Sequence, residues 1–138
     1  MKVDFQNKKL INRILEESRT IAVVGLSAKP DRSSYDVAAF LQSNGYKIIP
    51  VNPNLSSVLG EKSYPDLSSI PEPVDVVDIF RKSEDVGPIV DEVIKVGART
   101  VWMQLGIVNE EAAKKAQDAG LNVIMDRCMK REYGKIHG

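Results

Sequence analysis

The apolar run Thr20-Ile-Ala-Val-Val24 leads directly into Gly25, followed by Ser27, Lys29, Arg32 and the serine pair Ser33 and Ser34. Residues of these types in this order can hold a phosphate. A glycine lets the backbone turn sharply beneath a ligand. The Ser27 hydroxyl can donate. A helix opening near Ser33 and Ser34 offers unpaired N–H groups and the positive end of its dipole. Lys29 and Arg32 bring formal charge beside them. The turn departs from the dinucleotide signature G-x-G-x-x-G, because Ser27 stands at the place of its second glycine. Val51, Asn52 and Pro53 close the second apolar run without the acid that NAD sites commonly set against the ribose hydroxyls. No G-K-[ST] follows the turn, which speaks against ATP hydrolysis. Val24-Gly25-Leu26 supplies no acid for a magnesium-dependent phosphoacceptor site at Asp78.

The other reactive side chains are few. There is one histidine, His137, next to the C-terminus and expected to be disordered, and one cysteine, Cys128. Neither a Ser-His-Asp nor a Cys-His arrangement is available on those terms, and one Cys with one His makes no zinc site. No catalytic residue and no metal ligand is assigned. Asp75 and Asp78 are read as sharing one face of a strand, with strand-end hydrogen bonding or helix capping suiting them better than acid–base chemistry. Cys128 has Arg127 and Lys130 nearby, and positive neighbours favour a reactive thiolate. The plain alternative is a small buried cysteine.

The elements that must position these groups alternate regularly. Leu10, Ile11, Ile14 and Leu15 place an amphipathic helix over about 6–18. Strands are expected at 20–24, 47–51, 74–80, 100–104 and 121–125. Helices are expected from about 34 to Asn44-Gly45, over 85–96 with Pro88 in the first turn and Gly97 as its stop, and over 110–119 behind Asn109 as cap. Residues 52–73 read mostly as loop, with a short piece of structure at 60–64, and the tail from Asp126 onward reads as mixed and mildly basic. Near-continuous apolar strands suit a sheet covered on both faces. Right-handed crossovers then favour a doubly wound parallel α/β sheet of about five strands in three layers, with order 3-2-1-4-5. Ligands of such sheets bind beyond the C-terminal strand ends, where GLSAKPDRSS, VNPN, IFRKSE, QLG and DRC all fall.

The size and charge of the chain agree with one soluble unit. Its 138 residues are read as a single domain, 1–138. Acidic and basic residues balance at 19 each, so no global charge draws it to nucleic acid or a membrane surface. A single cysteine excludes an internal disulfide and suits a reducing, cytoplasmic setting.

The stretches GLSAKPDRSSYDVAAFLQSNGYKIIPVNPN, GEKSYPDLSSIPEPVDVVDIFRKSEDV and WMQLGIVNEEAAKKAQDAGLNVIMDRC resemble the small stand-alone CoA-binding proteins. These are similar in turn to the N-terminal domain of the succinyl-CoA synthetase α subunit and of ADP-forming acyl-CoA synthetases. The resemblance covers about residues 15–133 and rests on the ordered set G-x-S, V-N-P, D-I-F-R and D-R-C. It implies a Rossmann-like sheet that binds coenzyme A or an acyl-CoA along its rim. Gly25 and Ser27 would approach the pyrophosphate, with Lys29 and Arg32 supplying phosphate charge. Val51, Asn52 and Pro53 would border adenine and ribose. Ile79, Phe80, Arg81 and Ser83 would follow the pantetheine or the phosphates, and Gln104 and Gly106 would line the far side. Cys128 would then lie near the CoA thiol as a redox partner. The 3′-phosphate of CoA calls for basic rather than acidic surroundings. The function expected is a non-catalytic binding module: a sensor, carrier or subunit. The alternatives are an NAD(P)-dependent oxidoreductase of the same sheet type, and one subunit of a split acyl-CoA synthetase with an ATP-grasp partner chain. A homo-oligomer is also compatible with the amphipathic first helix.

Overall fold

The computed structural model describes residues 4–137. In chain order the elements are α1 (Lys8–Glu17), β1 (Thr20–Val24), α2 (Ser33–Ser43), β2 (Lys47–Val51), β3 (Ser57–Val58), β4 (Glu61–Lys62), β5 (Val76–Ile79), α3 (Val86–Val96), β6 (Thr100–Met103), α4 (Glu110–Asp118), β7 (Asn122–Ile124) and α5 (Met129–His137). Five strands form one wholly parallel sheet, and β3 and β4 form a separate small hairpin. One face is covered by α1, α2 and α5, around Trp102 and Ile21. The other is covered by α3 and α4, around Val77 and Met103. The Rossmann-like three-layer architecture is the one expected.

Local chemistry explains most boundaries. Asn7 caps α1 by accepting from the Leu10 N–H, and Asn109 caps α4 by accepting from the Ala112 N–H. Gly97, at φ +77°, ends α3 as anticipated. Helix α2 buries Ser34, Val37, Ala38 and Leu41, one face at helical spacing.

The strand order differs from the expected one. Numbering the five sheet strands along the chain, the order is 2-1-3-4-5 rather than 3-2-1-4-5: β2 lies at an edge, and β5 pairs with β1 on its other side. Two physical reasons account for this. All four residues of β5 are buried, which calls for an interior position. Pro50 lies within β2 and lacks an N–H, so β2 belongs at an edge. The outer edge of β2 is closed instead by Tyr64, whose N–H donates to Pro50 O and whose carbonyl accepts from Asn52 N–H.

The consequence is functional. In a doubly wound sheet the ligand crevice lies where the winding reverses. Here that point falls between β1 and β5, which sets Gly25 against Phe80 and Arg81 rather than against Gln104. The C-terminal tail also differs: residues 129–137 form α5, with Met129, Glu132, Tyr133 and Ile136 on the side facing the core. His137 is therefore placed as the last residue of α5, its ring 4.2 Å from that of Tyr133.

Candidate functional site

Gly25 is the hinge of the rim. Its φ of +88° lies in the left-handed region, and a Cβ added there would sit 2.5 Å from the Phe80 carbonyl oxygen and 3.0 Å from Arg81 Cδ. Only glycine fits the turn, so the chain passes directly against the end of β5. The Gly25 N–H donates to Val51 O, and the Phe80 N–H donates to Val24 O, which locks the three strand ends together. Beyond the turn, the Ser27 N–H donates to Ser34 Oγ at 3.0 Å, and Ser27 Oγ accepts from the Lys29 N–H at 3.1 Å. That leaves the Ser27 hydroxyl proton available for a ligand. Helix α2 has no side-chain cap at its N-terminus, unlike α1 and α4. Its first-turn N–H groups therefore face the cavity formed by Gly25, Ser27, Lys29 and Arg32.

Three cavities run side by side along this rim. The phosphate-type cavity just described measures about 400 Å³. A second, about 410 Å³, lies at the end of β2 and is bordered by Gly25, Val51, Asn52, Pro53 and Arg81. A third, about 770 Å³, lies toward α5 and is lined by Val37, Phe40, Phe80, Gln104, Ile107 and Cys128, among others. Shared walls make them one trough: Gly25 joins the first two, Phe80 and Ser33 join the first and third, and Arg81 stands between the second and third.

Charge is unevenly distributed along this trough. Among the described residues, Lys29, Arg32, Arg81, Lys82 and Arg131 pair with no carboxylate. All line the phosphate cavity or the large chamber. The β2 end is different, because Asp66, Glu84, Asp85 and Glu92 border it. Asp66 and Glu92 are occupied by Ser69 and Ser68. Glu84 and Asp85 are not. Sequence reading saw no acid on the second strand, which is correct, but the turn before α3 carries acids to the same place.

Ten of the anticipated binding residues meet in the trough: Gly25, Ser27, Lys29, Arg32, Val51, Asn52, Pro53, Phe80, Arg81 and Gln104. Asn52 also ties two loops together, its Nδ2 donating to Leu26 O and its Oδ1 accepting from Asn54 N–H. Gln104 holds the start of α5, its Oε1 accepting from Met129 N–H at 3.1 Å. Three other residues line none of these cavities. Ile79 is sealed in the core. Ser83 accepts from Val108 N–H through its Oγ and from Asn109 Nδ2 through its carbonyl. Gly106 donates its N–H to Asp126 Oδ1 at 2.7 Å. These positions shape the loops behind the rim. Cys128 is half-buried in the wall of the large chamber.

Sequence reasoning did not assign Phe40 of α2 to the rim, and it missed Arg131 and the placement of Lys130 because α5 was not recognised. The spacing of Met129, Glu132, Tyr133 and Ile136 carries the helical signal, obscured by an acid on the buried face. Nor do Asp75 and Asp78 share a face. They are three positions apart, so pleating turns them opposite ways. Asp75 accepts from Arg19 N–H at 2.8 Å and Thr20 N–H at 3.0 Å, the strand-end role anticipated. Asp78 lies between Val23 and Trp102 in the sheet, fully buried, with no hydrogen-bond partner for either oxygen. Burial raises its pKa well above the ordinary value of 3.8, because loss of solvent disfavours the charged form.

A CoA binding domain model matches residues 19–134. An uncharacterised Bacillus subtilis protein, YneT, is 44% identical over 124 residues, covering 90% of this chain and 92% of its own. The ADP-forming acetate–CoA ligase II of Archaeoglobus fulgidus is 30% identical over 101 residues, 72% of this chain but only 15% of the ligase. A solved Pyrococcus horikoshii protein superposes with a TM-score of 0.93 at 39% identity, covering all of both chains. A match spanning most of the sequence, on a sheet whose switch point carries an uncapped helix and a glycine-only turn, places the chain in the CoA binding domain family.

Proposed function

We propose that this protein binds coenzyme A or an acyl-CoA in the rim trough and acts as a non-catalytic cytoplasmic module, with the whole chain forming one binding domain. The observation that carries the reading is the glycine-only turn beside unpaired Lys29 and Arg32 at the open N-terminus of α2. The pyrophosphate occupies that cavity. The adenosine extends past Val51, Asn52 and Pro53, and the pantetheine crosses Phe80 and Arg81 toward Cys128. Isothermal titration with CoA, NAD and ATP in parallel tests this. CoA is expected to bind tightest, and Lys29→Ala or Arg32→Ala should weaken it about tenfold, the scale of one charge-assisted hydrogen bond. Tighter binding of NAD or ATP would overturn the assignment.

One observation favours a second reading. Glu84 and Asp85 at the adenosine end suit free ribose hydroxyls, as in NAD, better than a 3′-phosphate. Dephospho-CoA separates the two cases. Weaker binding than CoA supports a 3′-phosphate held by Lys29, Arg32 or Arg81, whereas equal or tighter binding argues against such a contact.

Cys128 follows as the redox partner of the bound thiol. Attack of its thiolate on CoA disulfide forms a protein–CoA disulfide and releases one CoA thiolate. Mass spectrometry should find that adduct on Cys128. Its absence while CoA still binds removes this role. Co-purification of an ATP-grasp chain would point instead to a split synthetase.

A further inference from the structure

We infer that the 770 Å³ chamber is an acyl subsite, built for the apolar chain of a CoA thioester several carbons long rather than for free CoA or an acetyl group. The inference rests on the CoA reading of the rim and deepens it.

Position is the first argument. The chamber shares Ser33 and Phe80 with the phosphate cavity, so a ligand anchored at Gly25 reaches it without leaving the protein. Size is the second. The chamber is nearly twice either neighbour, and a bare thiol would leave much of it to water. Chemistry is the third. Val37, Phe40, Phe80 and Ile107 give it apolar walls. Part of its polar lining is already engaged: Asp36 pairs with Lys130 at 3.0 Å, and Gln104 Oε1 is taken by Met129 N–H. Gln104 is left with its amide N–H groups as donors, which match the carbonyl oxygen of a thioester better than the weakly accepting sulfur of a thiol.

The lip supplies the fourth argument. Leu105 borders the chamber and is 49% exposed, and Val108 on the same loop is 43% exposed. Together with Val96, these are the exposed large apolar side chains among the described residues. An acyl chain entering the chamber covers the first of them. Unpaired Arg81, Lys82 and Arg131 around the mouth favour an anionic carrier such as CoA over a neutral lipid.

Titration of the full chain with CoA, acetyl-CoA, butyryl-CoA and hexanoyl-CoA tests the proposal. Each buried methylene can tighten binding by up to about fourfold. Hexanoyl-CoA should therefore bind at least about tenfold more tightly than acetyl-CoA, with butyryl-CoA between. Ile107→Trp, which takes up part of the chamber, should lower the hexanoyl-to-acetyl ratio. Leu105→Ser at the exposed lip should lower that ratio without disturbing the fold. Equal affinity for all four compounds overturns the acyl subsite while leaving the CoA reading intact. Failure of every CoA compound to bind overturns the CoA reading itself.

Discussion

The two rims of the sheet are built from the same five strands and come out opposite. At the N-terminal rim the backbone closes on itself. Asp75 accepts from Arg19 and Thr20, its own N–H donates to Thr20 O, and its carbonyl accepts from Thr100 N–H. Lys47 and Glu72 clamp the edge at 2.7 Å, and the crevice left there is about 60 Å³. At the C-terminal rim the glycine turn, the uncapped α2 and five unpaired cations leave donors and charge facing a 770 Å³ chamber and its two neighbours. Satisfying backbone groups internally stabilises the fold, and leaving them open prepares a place for a ligand. The molecule separates the two tasks by rim.

The separation can be broken most strongly at Gly25. Gly25→Ala places a methyl 2.5 Å from the Phe80 backbone oxygen at a positive φ, and that main-chain atom cannot yield cheaply. A stability loss of about 3 kcal/mol is expected in urea unfolding, with CoA binding abolished in calorimetry. Retained binding would mean the turn is not the anchor.

Asp75→Ala tests the opposite rim. It strands two backbone N–H groups and should cost about 2 kcal/mol of stability. CoA affinity should stay unchanged, since Asp75 is at the far end of the sheet. A parallel loss of affinity would show that the rims are coupled.

Asp78 lies between the two rims and sharpens the comparison with its neighbour Asp75. Its folded pKa is raised by burial, so the native state holds this proton more tightly than the unfolded chain does. The contribution is full below about pH 4 and is lost as pH rises through the folded value. Asp78→Asn cannot ionise, so its stability should fall less than that of the wild type between pH 4 and pH 9. Identical pH profiles for the two proteins would remove Asp78 from the pH dependence.

Much of the scaffold was legible because its signals are local. The apolar runs at β1, β2, β5, β6 and β7, the Asn109 cap and the Gly97 stop each act within a few residues of sequence. The glycine turn with Ser27, Lys29 and Arg32 was legible for the same reason. Pro50 even carried the information that β2 is an edge strand, although it was not used. Helix α5 stayed hidden because a buried Glu132 breaks its apolar stripe.

The amino-acid sequence alone determined the alternation of strands and helices, the phosphate-type turn and the scarcity of catalytic groups, since each follows from backbone preference and residue identity nearby. Tertiary structure decided which strands became neighbours, and therefore that Phe80 and Arg81 stand against Gly25. It also brought Glu84 and Asp85 to the end of β2, added the α5 wall to the large chamber, and left Asp78 buried without a partner. These features depend on contacts between residues far apart in the chain, whose relative placement is settled only when the sheet is assembled and both of its faces are covered.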